Sequence, residues 1–244
     1  MHHRKLTYDS EGTSCHGHLV NDKNVIGKRP GVLVAHAWMG QDKFARNQAE
    51  MLAKLGYVGF AVDIYGNGAT ASNADQAKEL MMPFFLDRAL LQKRIQSALT
   101  TLKNCPEVDT SKTGAIGFCF GGLTVLELLR SGADTKGIVS FHGVLTNAMG
   151  GQKAKTVPIA KSIHGAALIL HGYDDPMMTP EDLAHYQKEL NDAHVDWQLN
   201  IYGQTTHAFT NPEADMPDQG LKYKSISSER AFQSMRQFFK EIFS

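Results

Sequence analysis

A chain of 244 residues with 42% hydrophobic and 20% charged residues, 22 glycines and 8 prolines has an ordinary globular composition and room for a full core, which excludes a disordered, collagen-like or fibrous state. Lysine plus arginine balances aspartate plus glutamate at 25 each with no basic cluster, so neither nucleic acid nor a membrane surface is an expected partner. The longest apolar stretches, 58–62 and 166–170, fall well short of the roughly 20 residues that span a bilayer, Met1-His2-His3-Arg4-Lys5 leads into no apolar signal core, and three cysteines at no metal-like spacing predict free thiols in a reducing, cytoplasmic setting.

Residues 6–8 and 15–19 predict an antiparallel hairpin at a sheet edge. Residues 31–36 lack polar alternation and read as a strand buried on both faces, followed by a helix over 43–55 that Gly56 closes. A second buried strand spans 58–63, and Asp63 at its carboxyl end caps a loop. The stretch 73–104 is amphipathic, with Ile95, Leu99 and Leu102 on one face, and Pro83 predicts its division into two helices. Met81 to Leu86 reads as a core segment, with a pocket wall or lid as the alternative. A third strand over 112–116, a helix over 123–129 and a fourth strand over 137–141 follow, then an inserted loop over 150–161 and a fifth strand over 167–171. Thr179-Pro180-Glu181-Asp182 has a capping threonine, a first-position proline and acids in the first turn, and starts a helix expected to reach Ala193. Residues 197–202 form a sixth strand, 213–218 a solvated acidic turn near the candidate site, and 228–242 a closing helix with Phe232, Met235, Phe238 and Phe239 on its core face. Short apolar runs alternating with amphipathic ones predict an α/β class with a mostly parallel central sheet and helices on both faces. No linker divides the chain, so 1–244 is expected to be a single domain. His16 and His18 share a strand face without a third ligand, so no metal site is expected, and His36 and His142 are expected to hydrogen-bond to backbone groups.

One motif carries chemistry. Gly117-Phe118-Cys119-Phe120-Gly121-Gly122 falls between a predicted strand and a predicted helix, with small residues two before and two after the cysteine, as a nucleophile elbow requires. The start of the following helix offers backbone N–H groups and partial positive charge that favour a thiolate, and the Phe120 N–H is one candidate oxyanion donor. A thiol nucleophile needs a base, and the base an orienting acid, expected downstream at strand ends. Asp175, in Gly172-Tyr173-Asp174-Asp175-Pro176, is the candidate acid with Asp174 its rival, and His207, in the loop after the sixth strand, is the candidate base. The second oxyanion donor is expected from His36-Ala37-Trp38-Met39-Gly40, through the Trp38 amide.

Together with Gly56-Tyr57, Asp63-Ile64-Tyr65-Gly66-Asn67-Gly68, Asp175-Pro176 and His207-Ala208-Phe209, these segments resemble the dienelactone hydrolase family of the α/β-hydrolase superfamily over nearly the whole chain. The resemblance implies an α/β-hydrolase fold, a Cys119-Asp175-His207 triad, and hydrolysis of carboxylic esters or lactones through an acyl-thioester without metal or cofactor. Two positions depart from the family pattern. Ala37 stands where members carry a glutamate that helps activate the cysteine, and Asn211 stands where they carry an arginine for the substrate carboxylate. A neutral small-molecule ester or lactone is therefore expected rather than dienelactone itself, handled by a monomer or weak homo-oligomer. The alternatives are a thiol-dependent acyltransferase and a ligand-binding or redox-sensing module on the same fold.

Overall fold

The computed structural model describes residues 1–244. Its elements in chain order are β1 (His2–Ser10), β2 (Thr13–Asn21), β3 (Arg29–Ala35), α1 (Lys43–Lys54), β4 (Val58–Ala61), α2 (Ala74–Leu86), α3 (Arg88–Lys103), β5 (Val108–Phe118), α4 (Phe120–Arg130), β6 (Gly137–Phe141), β7 (Ala148–Met149), β8 (Gln152–Lys153), β9 (Ala166–Gly172), α5 (Pro180–Asp192), β10 (Trp197–Tyr202), β11 (Asp215–Met216), β12 (Leu221–Lys222) and α6 (Ser225–Ile242). Eight strands form one sheet in the order β1-β2-β4-β3-β5-β6-β9-β10. From β4 to β10 every pairing is parallel, while β1 and β2 add an antiparallel hairpin at one edge with Leu6 opposite Gly17.

The double-sided burial of β3 explains its unbroken apolar sequence. Leu33 and Ala35 face one core, shared with α3, α4 and α5, and Val32 and Val34 face the other, under α1 and α6. Each fully buried leucine, isoleucine or phenylalanine contributes about 1.5–3 kcal/mol relative to exposure. Helix ends follow their caps. Asp42 accepts the Ala45 N–H at 3.0 Å, Thr179 and Asp182 form a reciprocal capping box, and Gly56, at φ +91°, takes the left-handed turn after α1.

The division of 73–104 falls at Asp87, not Pro83. Pro83 sits inside the last turn of α2, and the chain breaks four residues later, where extended Asp87 caps α3 by accepting the Leu90 N–H at 3.0 Å. A proline forfeits only one hydrogen bond there, whereas an aspartate with a free side-chain acceptor starts the new helix. Met81, Phe84 and Phe85 are buried in the main core. The 150–161 segment is tied to the α2–α3 junction: Lys155 N–H donates to Leu86 O and Arg88 N–H to Lys155 O.

Asp63 does cap a loop, and its reach is wide. Fully buried, it accepts the N–H groups of Gly66 (2.8 Å), Gly68 (2.8 Å) and His16 (2.9 Å), so it joins the turn after β4 to the edge hairpin. Removing a buried acceptor leaves its donors unsatisfied at about 1–3 kcal/mol each. Asp63→Ala is expected to cost about 3 kcal/mol or more, a fall in Tm of roughly 6–12 °C at this chain length; calorimetry giving a change under about 2 °C would contradict this account.

Candidate active site

Cys119 stands between β5 and α4 at φ +56°, ψ −118°, a conformation that side chains other than glycine rarely adopt. The surroundings hold it there. Cys119 N–H donates to Phe141 O on the neighbouring strand (3.1 Å), and Cys119 O accepts the N–H groups of Gly122 (2.9 Å) and Val144 (3.2 Å). A Cβ on Gly117 would overlap the Gly121 carbonyl, one on Gly121 would overlap the Ala35 carbonyl, and one on Gly122 would sit 2.6 Å from both Gly143 Cα and Ser140 Oγ. The glycines on either side of the cysteine are thus required by backbone contact. Cys119 itself is half-buried, whereas Cys15 and Cys105 are buried.

Asp175 and His207 come from the ends of adjacent parallel strands, β9 and β10. His207 Nδ1 lies 2.7 Å from Asp175 Oδ2, and the second Asp175 oxygen accepts the Met177 N–H at 2.9 Å. Asp174 is exposed and makes no contact to the histidine ring, its N–H donating to Thr205 O. His207 Nε2 makes no hydrogen bond within the protein, and the adjacent Cys119 sulfur is the group that acts on it. Burial by itself lowers the pKa of His207; the neighbouring Cys119 and the hydrogen bond and charge of Asp175 outweigh it and raise the pKa to about 10.

The acidic 213–218 turn is more than solvated surface. It belongs to the β11–β12 hairpin, which pins His207 from both sides of its peptide: His207 N–H donates to Gly220 O (2.9 Å) and Lys222 N–H to His207 O (3.1 Å). A Cβ on Gly220 would strike the ring of Pro176, next to Asp175, so the same hairpin rests on both members of the pair. Its place near the site is as expected, but nothing in its polar, exposed sequence signals the clamp on the His207 peptide.

His36 matches the expected backbone bonding, with Nδ1 2.6 Å from Ala37 O and Nε2 accepting the Ile64 N–H at 3.3 Å. His142 does not. Its Nε2 meets the Thr210 hydroxyl at 2.8 Å, Nδ1 has no partner, and the ring packs edge-on against His207 with centroids 5.0 Å apart. Burial, then the neighbouring His207 charge, holds its pKa well below the ordinary value, and burial likewise lowers His171, whose Nδ1 is 3.9 Å from Asp175 Oδ2. Both histidines are consequently neutral. Trp38 lies in the turn after β3, closed by Gly40 N–H donating to Ala37 O, and its own N–H has no acceptor in the protein. Phe120 is the first residue of α4, where an N–H has no intrahelical acceptor. Asn211 is occupied locally, its Oδ1 accepting the Glu213 N–H at 3.1 Å. An open groove between Ile159 and His185 shares no residue with this cluster.

A mostly parallel sheet with a strained elbow ahead of a helix, and an acid and a histidine at the ends of later strands, defines an α/β-hydrolase. The family model for the dienelactone hydrolase family matches residues 15–243; the chain belongs to that family and is an ester or lactone hydrolase. Among solved structures it is similar to m3DLH, at 38% identity and a TM-score of 0.91 over 100% of this chain and 99% of the other. It is also similar to a dienelactone hydrolase-like promiscuous phosphotriesterase from metagenomic libraries, at 36% identity and a TM-score of 0.91 with coverage of 100% and 99%. A Bradyrhizobium relative named "Probable 2-oxo-3-(5-oxofuran-2-ylidene)propanoate lactonase" is 26% identical over 210 residues, 85% of this chain and 82% of its own.

Asp175 raises the His207 pKa, so its loss should lower it. In an NMR titration of the His207 ring, Asp175→Asn is expected to bring the midpoint down from about 10 by more than one unit while Asp174→Ala leaves it in place; an unmoved midpoint in Asp175→Asn would remove the carboxylate from the account.

Proposed function

We propose that residues 1–244 act as one catalytic domain that hydrolyses neutral carboxylic esters or lactones, with Cys119 as nucleophile, His207 as general base and acid, and Asp175 as the group that orients His207. The observation that carries this reading is the His207 ring itself: Nδ1 is held 2.7 Å from Asp175, while Nε2 is free of any other partner and adjacent to the Cys119 sulfur. A His207 pKa raised to about 10 favours the proton residing on the imidazole at neutral pH, beside the Cys119 sulfur that attacks as a thiolate. The sulfur forms its bond to the substrate carbonyl carbon, and the carbonyl electron pair moves onto oxygen. That oxyanion is received by the N–H groups of Phe120 and Trp38, each worth typically about 2.7–4 kcal/mol in such a role. As the tetrahedral adduct collapses, the C–O bond to the leaving alcohol breaks and His207 gives that oxygen its proton, leaving an acyl-thioester on Cys119. Water, deprotonated by His207, then attacks the thioester, releasing the acid and returning the thiolate.

The preference for uncharged substrates rests on what surrounds the sulfur. Ala37 is apolar, Asn211 is engaged with Glu213, and His142 and His171 are kept neutral by burial, so none of these positions supplies a fixed cation for a substrate carboxylate. The likeness to a promiscuous phosphotriesterase adds neutral aryl phosphotriesters as a second class to assay, since the same thiolate can attack phosphorus. A redox-sensing module would have no use for the Asp175–His207 pair.

The test is turnover of short p-nitrophenyl esters and of matched neutral and anionic lactones by the wild type, Cys119→Ala and His207→Ala, each confirmed folded by circular dichroism. Both variants are expected to lose about a thousandfold or more in kcat, rapid-quench mass spectrometry to reveal the acyl group on Cys119, and neutral lactones to be preferred. Retained turnover in Cys119→Ala ends the thiol mechanism, and a strong preference for anionic lactones ends the neutral-substrate reading.

A further inference from the structure

The Asp63-Ile64-Tyr65-Gly66-Asn67-Gly68 turn is part of the family resemblance, yet the reaction just described uses none of its side chains. It is among the most tightly determined loops in the molecule. Asp63 gathers three backbone N–H groups, Asn67 N–H donates to Ser14 O at 2.6 Å, and Gly66, Asn67 and Gly68 take φ of +88°, +56° and +67°. A Cβ at Gly66 would sit 2.5 Å from Thr13 Cγ2 on the edge hairpin. Ile64 N–H is fixed on His36 Nε2, and the His36 ring packs edge-on against Tyr65 at 4.7 Å. All these restraints converge on one side chain.

Tyr65 is only 8% exposed, and its ring stacks over Phe120, centroids 6.1 Å apart and planes 25° from parallel, with Phe84 at 5.8 Å behind it. Its hydroxyl donates to Trp38 O at 2.7 Å. One side chain therefore touches both residues whose amides receive the oxyanion in the proposed reaction, one by hydrogen bond and one by stacking. The two donors come from separate elements, the turn after β3 and the start of α4. Backbone bonds hold the Trp38 turn on its far side, Gly40 N–H to Ala37 O and Ala71 N–H to Met39 O, and the phenol supplies the hydrogen bond to the Trp38 carbonyl itself.

We infer that Tyr65 is a positioning residue of the oxyanion site, bracing the Trp38 turn against Phe120 so that the two N–H groups converge on one point. This rests on the assignment of those amides in the proposed mechanism. Burial and then the nearby Cys119 charge raise the Tyr65 pKa far above its ordinary value, so the hydroxyl stays protonated and keeps donating throughout the working pH range. Preorganised donors act because they do not have to reorient when charge develops, and a small displacement of one of them is costly.

The experiment is Tyr65→Phe, which keeps the stacked ring and deletes the hydrogen bond to Trp38 O. The expected result is a fall in kcat for p-nitrophenyl esters of about tenfold to a hundredfold, less than complete loss of a donor, with KM within about twofold. Affinity for a trifluoromethyl ketone, whose thiolate adduct carries an oxyanion, should weaken by the same factor as kcat/KM. Alkylation of Cys119 by iodoacetamide, which develops no oxyanion, should proceed at the wild-type rate. A Tyr65→Phe enzyme with wild-type kcat overturns the proposal, and so does a loss of kcat matched by an equal loss of alkylation rate, which would make Tyr65 a partner of the sulfur. Should Tyr65→Phe fail to fold, Tyr65→His, which also keeps a ring at the position, is judged by the same criteria. Cys119→Ala run alongside separates the two levels: if it retains turnover the underlying mechanism fails, and if it is inert while Tyr65→Phe is normal only the brace fails.

Discussion

The left-handed backbone at Cys119 is the constraint on which the site depends. A cysteine costs about 1–3 kcal/mol in such a conformation and persists in it only where its surroundings over-determine it. Here Phe141 O, Gly122 N–H and Val144 N–H hold its peptide, while Gly117 and Gly121 bring β5, α4 and β3 to distances no side chain would allow. The result is a sulfur presented above the carboxyl ends of the parallel strands. The first N–H of a helix lies beside it, and the loops after β3, β9 and β10 surround it. Each remaining feature of the site is placed relative to that elbow.

Electrostatics then decides which protonation states occupy the space. Three histidines cluster here, His207 and His171 beside Asp175 and His142 against the His207 ring, and only His207, which has the short contact to the carboxylate and the sulfur on its other side, is raised in pKa; His142 and His171 are lowered. Confining one proton to one ring suits the acyl transfer proposed above, in which the same imidazole would take a proton and return it at a fixed position. His142, packed against that ring at 5.0 Å and itself bonded to Thr210, restricts the tilt of His207 without adding charge.

Elements at the periphery have consequences at the centre. The β1–β2 hairpin is remote from Cys119, yet through Asp63 it fixes the turn that bears Tyr65. The small β11–β12 hairpin holds the His207 peptide and leans on Pro176 beside Asp175. Both act by satisfying backbone groups that would otherwise be buried without partners, so their influence is a matter of geometry and not of charge.

Much of this was legible in the residues themselves, wherever a local rule sufficed. Strands without polar alternation are buried on both faces, a threonine-proline-acid sequence starts a helix, and glycines two before and two after a cysteine permit an elbow; each is a short-range steric or hydrogen-bonding statement. Where two local signals competed the reading went astray, as at Pro83, whose helix-breaking tendency yielded to the cap at Asp87. The rest depends on contacts between residues far apart in the chain. Which of two adjacent aspartates meets His207, whether His142 bonds to backbone or to Thr210, that an acidic turn clamps a histidine, and that Tyr65 reaches both Trp38 and Phe120 are set by the orientation of strands and loops that only the assembled sheet brings together. The sequence by itself determined which elements form and which chemistry is available; the tertiary structure decided which side chains meet, because that choice is made by distances across the sheet that no local pattern encodes.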